Sequence, residues 1–323
     1  MDLKITKLDG TSYTLGQYGV TVKDVVISPI EVEHEKRDIK GLHGTFDAGT
    51  TFKERTISVP FVFVAETLAS YPLYRDLISE LVYDDQPFYV QEMRRPQRQQ
   101  YEFKDTSFND TALSVDQYGY DTVFDSPQGD NEVSTGKRYF VQLSACEELE
   151  QKGLKGTGSM SFTTTELPFA ESVGTSLDLE RDGLNNASNP IWSYGMGLSR
   201  DPDTWQYTFN ISEQKEHEVY NFGNVPIDQF NQHLVIRLKF NGEPSGTIKF
   251  GFNGTQCEID TEDANIKKGD IVTYESSSYF KNGLSILNST NYGIPVMRTG
   301  RNDLLFDSNY NIEAQVECRY YYY

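Results

Sequence analysis

The sequence has no apolar run long enough to cross a bilayer as a helix, which takes about 18 or more residues. Its longest apolar stretch, Val59 to Ala65, is the length of one strand. Cysteine is nearly absent. Cys146, Cys257 and Cys318 are widely spaced and odd in number, with neither a CxxC pair nor the Cys/His spacing of a zinc site. A disulfide framework and structural zinc are therefore not expected, and buried free thiols in a reducing compartment are. The four histidines, His34, His43, His217 and His233, are scattered, and none stands in an HExxH-like pair. Positive charge is scarce as well: 29 Lys and Arg stand against 48 Asp and Glu, a net charge of −19. A protein that grips nucleic-acid phosphates clusters Lys and Arg, so that class is excluded. The one basic cluster, Arg94, Arg95 and Arg98, reads as a solvated turn. The opening "MDLKITKLDG" lacks the apolar segment of a signal peptide, so Sec-type export is not expected.

Aromatic residues are plentiful, with 21 Tyr and 19 Phe. With frequent Thr, that composition favours strands over helices. A chain of 323 residues suggests two domains, each with its own core. Short strands fill residues 2 to 38, with Asp9-Gly10 as a hairpin turn. The stretch "IKGLHGTFDAGTTFKER" is polar and glycine-spaced, yet carries Leu42, Phe46 and Phe52. In "RTISVPFVFV", Ile57, Val59, Phe61 and Phe63 share one face, and Pro60, which has no amide donor, points to an edge or bulged strand. Residues 68–82 carry Tyr71, Tyr74, Leu77, Ile78, Leu81 and Val82 at helical spacing, the one clear helix. Residues 96–137 read as an acidic loop excursion; "DSPQGDNE" within it lacks the spacing of a calcium loop. "KRYFVQLSACEELE" and "GTGSMSFTTTELPF" return as strands. From residue 171 a polar connector leads to hairpin-like segments, with Asn-Gly pairs at 241–242 and 253–254, as in an antiparallel sandwich.

Catalytic constellations are faint. The spacing of Gly153, Gly156 and Gly158 is not the dinucleotide fingerprint and reads as a turn entering a strand. Among so many carboxylates some pair always falls at a glycosidase-like separation, so none is singled out. Trp192 and Trp205, near Tyr194 and Tyr207, suit a sugar-stacking platform or, more simply, a sandwich core. No enzyme, cofactor or metal site is indicated.

The ordered set of segments resembles the distal tail proteins of long, non-contractile-tailed phages that infect Gram-positive hosts. The resemblance rests on a strand pair, then the arm "IKGLHGTFDAGTTFKERTISVPFVF", a lone helix, "PFYVQE" and "GTGSMSFTTTELPFAES". "YNFGNVP", "KKGDIVTYESSSYFKNG" and "RNDLLF" follow in the second half. It covers nearly the whole chain except 96–137. It implies a mainly β protein: a barrel-like N-terminal domain (1–170) with one helix and a protruding hairpin arm (38–55), and a galectin-like β-sandwich (171–323). It further implies a homohexameric ring at the distal end of the tail tube. Its expected partners are the tube protein, a tail-associated lysin or fibre hub, and receptor-binding or other baseplate proteins. DNA would pass through unbound. The expected location is the virion tail tip, after synthesis in the host cytoplasm and without membrane insertion. Leu42, Phe46 and Phe52 would then be buried on a neighbouring subunit. The rival reading is a carbohydrate- or receptor-binding module; larger family members carry inserted sugar-binding modules, for which this chain is too short.

Overall fold

The structure is a computed structural model; it describes residues 1–41, 43–94, 133–184, 191–193 and 195–323. Most of the expected acidic excursion, with Arg95 and Arg98, lies outside the described residues. The chain is mainly β. Its first half runs β1 (Asp2–Thr6), β2 (Ser12–Thr14), β3 (Val20–Val22), β4 (Val26–Ile27), β5 (Val32–Arg37), β6 (Phe46–Phe52) and β7 (Thr56–Val64). Helix α1 (Tyr71–Val82) follows, then β8 (Phe88–Arg94), β9 (Val133–Ser134), β10 (Lys137–Cys146), β11 (Glu150–Lys152), β12 (Lys155–Thr164) and β13 (Ala170–Ser172).

The main sheet is ordered β2-β1-β8-β10-β12-β7-β3, and β3 comes back alongside β1, so the sheet curls into a barrel-like wall. The alternation read in β7 sets its interior: Ile57, Val59, Phe61 and Phe63 are at most 1% exposed. Gly156 on the paired strand β12 has no room for a Cβ, which would lie 2.3 Å from the Phe63 ring. Pro60 does not mark an edge. β7 is interior, pairing β12 on one side and β3 and β4 on the other. A strand residue directs its N–H and C=O to the same side, and the Pro60 carbonyl accepts from the Lys23 N–H at 2.9 Å. The missing donor therefore faces the gap between β3 and β4, where no ladder bond is lost.

Helix α1 begins three residues later than its periodicity suggests. Thr67 and Ser70 bond to each other and to each other's backbone, a local turn that competes with the helix, and Leu68 stays exposed. Its buried face, Tyr71, Ile78, Leu81 and Val82, completes the barrel's core.

The second half contains α2 (Ser176–Asp182), β14 (Thr208–Asn210), β15 (Glu216–Asn221), β16 (Leu234–Phe240), β17 (Thr247–Phe252), β18 (Cys257–Asp260) and β19 (Ile271–Glu275). It ends with β20 (Ser278–Lys281), β21 (Leu284–Ser285), β22 (Gly300–Phe306), β23 (Ile312–Cys318) and β24 (Tyr321–Tyr322). Sheets β14-β23-β16-β19-β20-β21 and β15-β22-β17-β18 face each other across one core. Leu234, Ile236, Leu238 and Phe240 of β16 alternate inward, as do Ile312, Ala314, Val316 and Cys318 of β23. The two Asn-Gly pairs differ. Asn253-Gly254 lies in the β17–β18 hairpin, whereas Asn241-Gly242 carries the chain from one sheet to the other, because β16 pairs β19 and β23 and not β17. A two-residue hairpin is made instead by Asn282-Gly283, both at positive φ, between β20 and β21.

α2 is a second helix that periodicity does not reveal. Thr175 and Asp178 form its capping box and Gly183 follows it. That signature stands in "TSLDLERDG", within the stretch read as a connector.

The expected boundary at 170/171 falls inside β13, which lies between β10 and β24. Ser172 is fully buried, and the sandwich core already includes Phe169 and Ala170. A C-terminal fragment starting at Glu166 is expected to melt cooperatively. One starting at Thr175 gives up the partner of β24 and the burial of Phe169, the latter alone about 1.5–3 kcal/mol, and is expected to melt distinctly lower. Equal melting temperatures by circular dichroism would show that β13 contributes nothing to the sandwich.

Candidate functional site

β5 ("VEHEKR") and β6 ("FDAGTTF") pair only with each other, and all of their residues are exposed. The arm is therefore a hairpin of Val32–Arg37 against Phe46–Phe52 with residues 38–45 as its tip. Its first strand lies before the expected 38–55 span, in a stretch whose charges reflect exposure on both faces. Six paired positions, from Val32·Phe52 to Arg37·Phe46, make a ladder roughly 20 Å long at about 3.3 Å per residue.

Little within the ribbon holds it. Glu33 meets Lys53 at 2.6 Å and the His34 ring meets the Thr50 hydroxyl at 3.0 Å, but exposed pairs of this kind are screened by solvent and contribute little. An isolated two-stranded ribbon is marginal in water.

One irregularity decides what each phenylalanine does. Glu35 pairs Gly49 while Lys36 pairs Asp47, so Ala48 is an extra residue, a β-bulge. Asp47 accepts the Gly49 N–H at 3.2 Å, and Gly49 takes a φ of +150° that suits glycine. One extra residue reverses the alternation beyond it. Phe52, opposite Val32, shares a face with His34 and Thr50; Phe46, opposite Arg37, is on the other face with Glu33 and Glu35. The Glu35–Arg37 pair at 2.6 Å and the His34–Thr50 bond report these same faces.

Phe52 packs in cis. Its ring centroid lies 5.8 Å from Phe169 and 5.4 Å from Tyr323, and those two rings are 5.5 Å apart. This aromatic trio ties the arm's root to the second half. Phe46 is 59% exposed and Ile39 48% exposed. They are the most exposed apolar groups of the arm among the described residues. Leu42 lies outside the described residues.

Between the two halves lies a cleft of about 640 Å³, lined by Tyr89, Arg138 and Phe140 from one side and Phe230, His233 and Arg319 from the other. Its charges are largely paired. The Arg138 guanidinium sits 3.7 Å from the Tyr89 ring centroid and donates to Glu171 at 2.6 Å. Arg319 lies 3.9 Å from the same carboxylate and donates to the carbonyls of Ser172 and Val173. Beside the cleft, Glu317 accepts from Arg237 at 2.6 Å and meets His233 at 3.2 Å. The His233 hydrogen bond and then Arg237 hold its carboxyl at about 2, below the ordinary 4.5.

The two tryptophans do not form an open platform. Trp192 is 8% exposed in the sandwich core, its ring 5.9 Å from Tyr320. Trp205 is half-buried, and its indole N–H donates to the Ser199 carbonyl at 3.0 Å. Tyr207 is fully buried, and Tyr194 lies outside the described residues. No histidine bonds a cysteine among the described residues. Burial pushes the Cys257 thiol up to about 11 and the Cys318 thiol up to about 12, which removes them as nucleophiles near neutrality. The arm's root residues Phe169 and Tyr323 were invisible as a pair, because the strand pairing that joins them spans about 150 positions. The bulge had a local signal in Asp47-Ala48-Gly49.

Residues 8–164 match the phage tail protein RIFT-related domain. Among solved structures, the chain resembles the Dit protein (gp 19.1) of phage SPP1, described as a paradigm of the hub adsorption apparatus in phages infecting Gram-positive bacteria. The TM-score is 0.58 at 11% identity, over 98% of this chain and 99% of that one. The baseplate of phage P2 in its activated conformation with Ca gives a TM-score of 0.35 at 10% identity, over 99% and 97% of the two chains. No curated protein sequence matches the chain. Residues 8–164 thus match a phage tail domain, and the chain as a whole shares the fold of the SPP1 protein.

Separating the two phenylalanines yields a test. Phe52→Ala is expected to lower the stability of the isolated chain by about 1–2 kcal/mol, as loss of a half-buried aromatic contact does. Phe46→Ser is expected to leave it within about 0.5 kcal/mol. Urea melts of both variants check this; equal losses would place the two rings on one face. Glu317 supplies a second test. Because its folded pKa is lowered, its stabilisation is complete above pH 4.5 and is lost as pH falls through about 2. Glu317→Gln is expected to cost about 1–2 kcal/mol at pH 7, between the values for exposed and buried pairs, and to flatten the melting temperature between pH 5 and 2.

Proposed function

We propose that the chain is a non-catalytic structural protein that forms a hexameric ring at the distal end of a phage tail tube, the hub of the host-adsorption apparatus. The arm carries this reading: an exposed ribbon with a fixed root and exposed apolar groups, inside the stretch that matches a phage tail domain. Phe46 and Ile39 lie in water on a single chain, and burying a phenylalanine contributes about 1.5–3 kcal/mol. Six equivalent contacts around a closed ring multiply that gain, and heterologous contacts whose rotation closes make rings. The N-terminal barrel builds the ring, and the sandwich faces outward as the platform for receptor-binding or other baseplate proteins. The tube protein and a tail-associated lysin or fibre hub occupy the ring's two faces.

The charge fits the same role. DNA leaving the tube must not stick to the opening it crosses, and an excess of carboxylates disfavours lingering phosphates within the roughly 8 Å reach of the field at about 0.15 M salt.

Native mass measurement is expected to give a species of about 220 kDa, six copies of 36.8 kDa, with six-fold rings in negative-stain images. Phe46→Ser is expected to shift it toward folded monomers, and duplex DNA is expected not to bind near physiological salt. A protein that stays monomeric at high micromolar concentration, or a ring bore lined mainly by Lys and Arg, would count against the proposal.

A further inference from the structure

The cleft between the two halves is lined by polar groups whose hydrogen-bonding capacity the fold leaves unspent. Its volume of about 640 Å³ lies within the roughly 300–1,000 Å³ of small-ligand sites, which favour the junctions of domains. Arg138, Glu171 and Arg319 line it with side chains only 18, 14 and 20% exposed. Arg138 Nε donates to Glu171 Oε1 at 2.7 Å, and Arg319 Nη1 is taken by the carbonyls of Ser172 and Val173. Nη1 of Arg138, Nη2 of Arg319 and Oε2 of Glu171 form no hydrogen bond among the described residues. The Tyr89 ring, 3.7 Å from the Arg138 guanidinium, holds that planar group in place.

The walls add two features. Phe230 lines the cleft with 69% of its surface exposed, opposite the half that contributes Tyr89 and Phe140. Glu166 holds a φ of +63°, and the Leu167 N–H donates to the Thr165 carbonyl at 2.7 Å, the rare γ-turn of positive φ. The turn is clasped from the other half, where the Asn231 side-chain amide donates to the Glu166 carbonyl at 3.1 Å. A non-glycine residue in this conformation is costly, and such residues collect where ligands are clamped. The turn leaves the Glu166 carboxylate exposed at the cleft, without a hydrogen bond or ion pair among the described residues.

Two guanidinium groups and two carboxylates line the cleft, so its charges sum to zero when His233 is neutral. An ionic ligand gains no net attraction there. An apolar one would cover the planar groups and leave their free donors and acceptor without water or a partner. A hydroxyl both donates and accepts, so a ligand rich in hydroxyls satisfies arginine and glutamate alike. The apolar C–H face of a sugar ring matches an exposed aromatic ring such as Phe230. We propose that the cleft binds a short neutral saccharide, its hydroxyls on Arg138, Arg319, Glu171 and Glu166 and one ring face on Phe230. The inference goes beyond the hub reading and does not depend on it, because the site is complete within one chain. The open aromatic surface that Trp192 and Trp205 do not provide is provided here by Phe230.

The test titrates the full chain with maltotriose, cellotriose, lactose and chitotriose, followed by saturation-transfer NMR and calorimetry. At least one is expected to bind, and raising the salt from about 0.05 to 0.5 M is expected to leave its affinity within about twofold, since no net charge meets the ligand. Phe230→Ala and Glu166→Gln alter exposed side chains, so both variants are expected to keep the wild-type melting temperature. Each is expected to weaken binding about tenfold, as loss of a stacking face or of a charged hydrogen-bond acceptor does. Failure of all four sugars to bind overturns the inference. So does binding that neither variant weakens, which would put the sugar elsewhere on the chain. Binding of citrate or inorganic phosphate in place of the sugars, lost as salt rises, would make the cleft an anion site and overturns it as well. Sedimentation of wild type and Phe230→Ala keeps this result distinct from the self-assembly reading, which a protein that binds sugar yet stays monomeric would contradict on its own.

Discussion

The arrangement of the whole molecule hangs on three residues. β13, Ala170 to Ser172, takes β10 of the barrel wall on one side and β24 from the far end of the chain on the other. Ser172 is fully buried; its hydroxyl donates to the Gly174 carbonyl at 2.6 Å and accepts the Tyr320 N–H at 3.0 Å. Lys137 of β10 lies 3.9 Å over the Tyr322 ring, and Arg138 reaches across the strand to Glu171. Because Ala170 pairs Tyr322, the residues just outside the ladder, Phe169 and Tyr323, are brought side by side. Those are the two rings on which Phe52 rests. The register of a three-residue strand thereby sets the seat of an arm that begins more than a hundred positions earlier.

That seat matters because the arm has no other support. A bare hairpin presents two unpaired edges, which is a template for indiscriminate pairing. Here β5 carries Glu33, Glu35, Lys36 and Arg37, and β6 is broken by its bulge. Charged side chains and bulges are the devices by which proteins keep exposed edges from joining wrong partners. The same bulge turns Phe46 away from the face that holds Phe52. One ring serves the chain's own fold, and the other is left for a contact beyond it.

Local signals are legible where a single element explains them. The alternation of Ile57, Val59, Phe61 and Phe63, the stripe of α1, the Asp9-Gly10 turn and the inward residues of β16 need no distant partner to be legible. The failures are of two physical kinds. Asn241-Gly242 is chemically a turn, but whether a turn closes a hairpin or crosses between sheets depends on strands far along the chain. The position of Pro60 likewise depends on how β3 and β4 part, and the burial of Trp192 on a core assembled from many segments. α2 and the bulge are different: a capping box and an Asp-Ala-Gly triplet carried them, and both are short enough to be hidden by the polar residues around them. The candidate site was half legible. The arm's apolar residues stand out in a polar stretch, while its true first strand and its root depend on contacts that only the folded chain reveals.

The charge of the chain restricts how copies of it can join. Each brings a net charge of −19, so six brought together repel one another at every separation that salt does not screen. At about 0.15 M salt the repulsion is damped beyond roughly 8 Å, which leaves surfaces in contact as the place where it must be overcome. Apolar area such as Phe46 and Ile39 contributes without regard to sign. An acidic subunit whose exposed ribbon carries Phe46 and Ile39 near its tip has such area concentrated on one element.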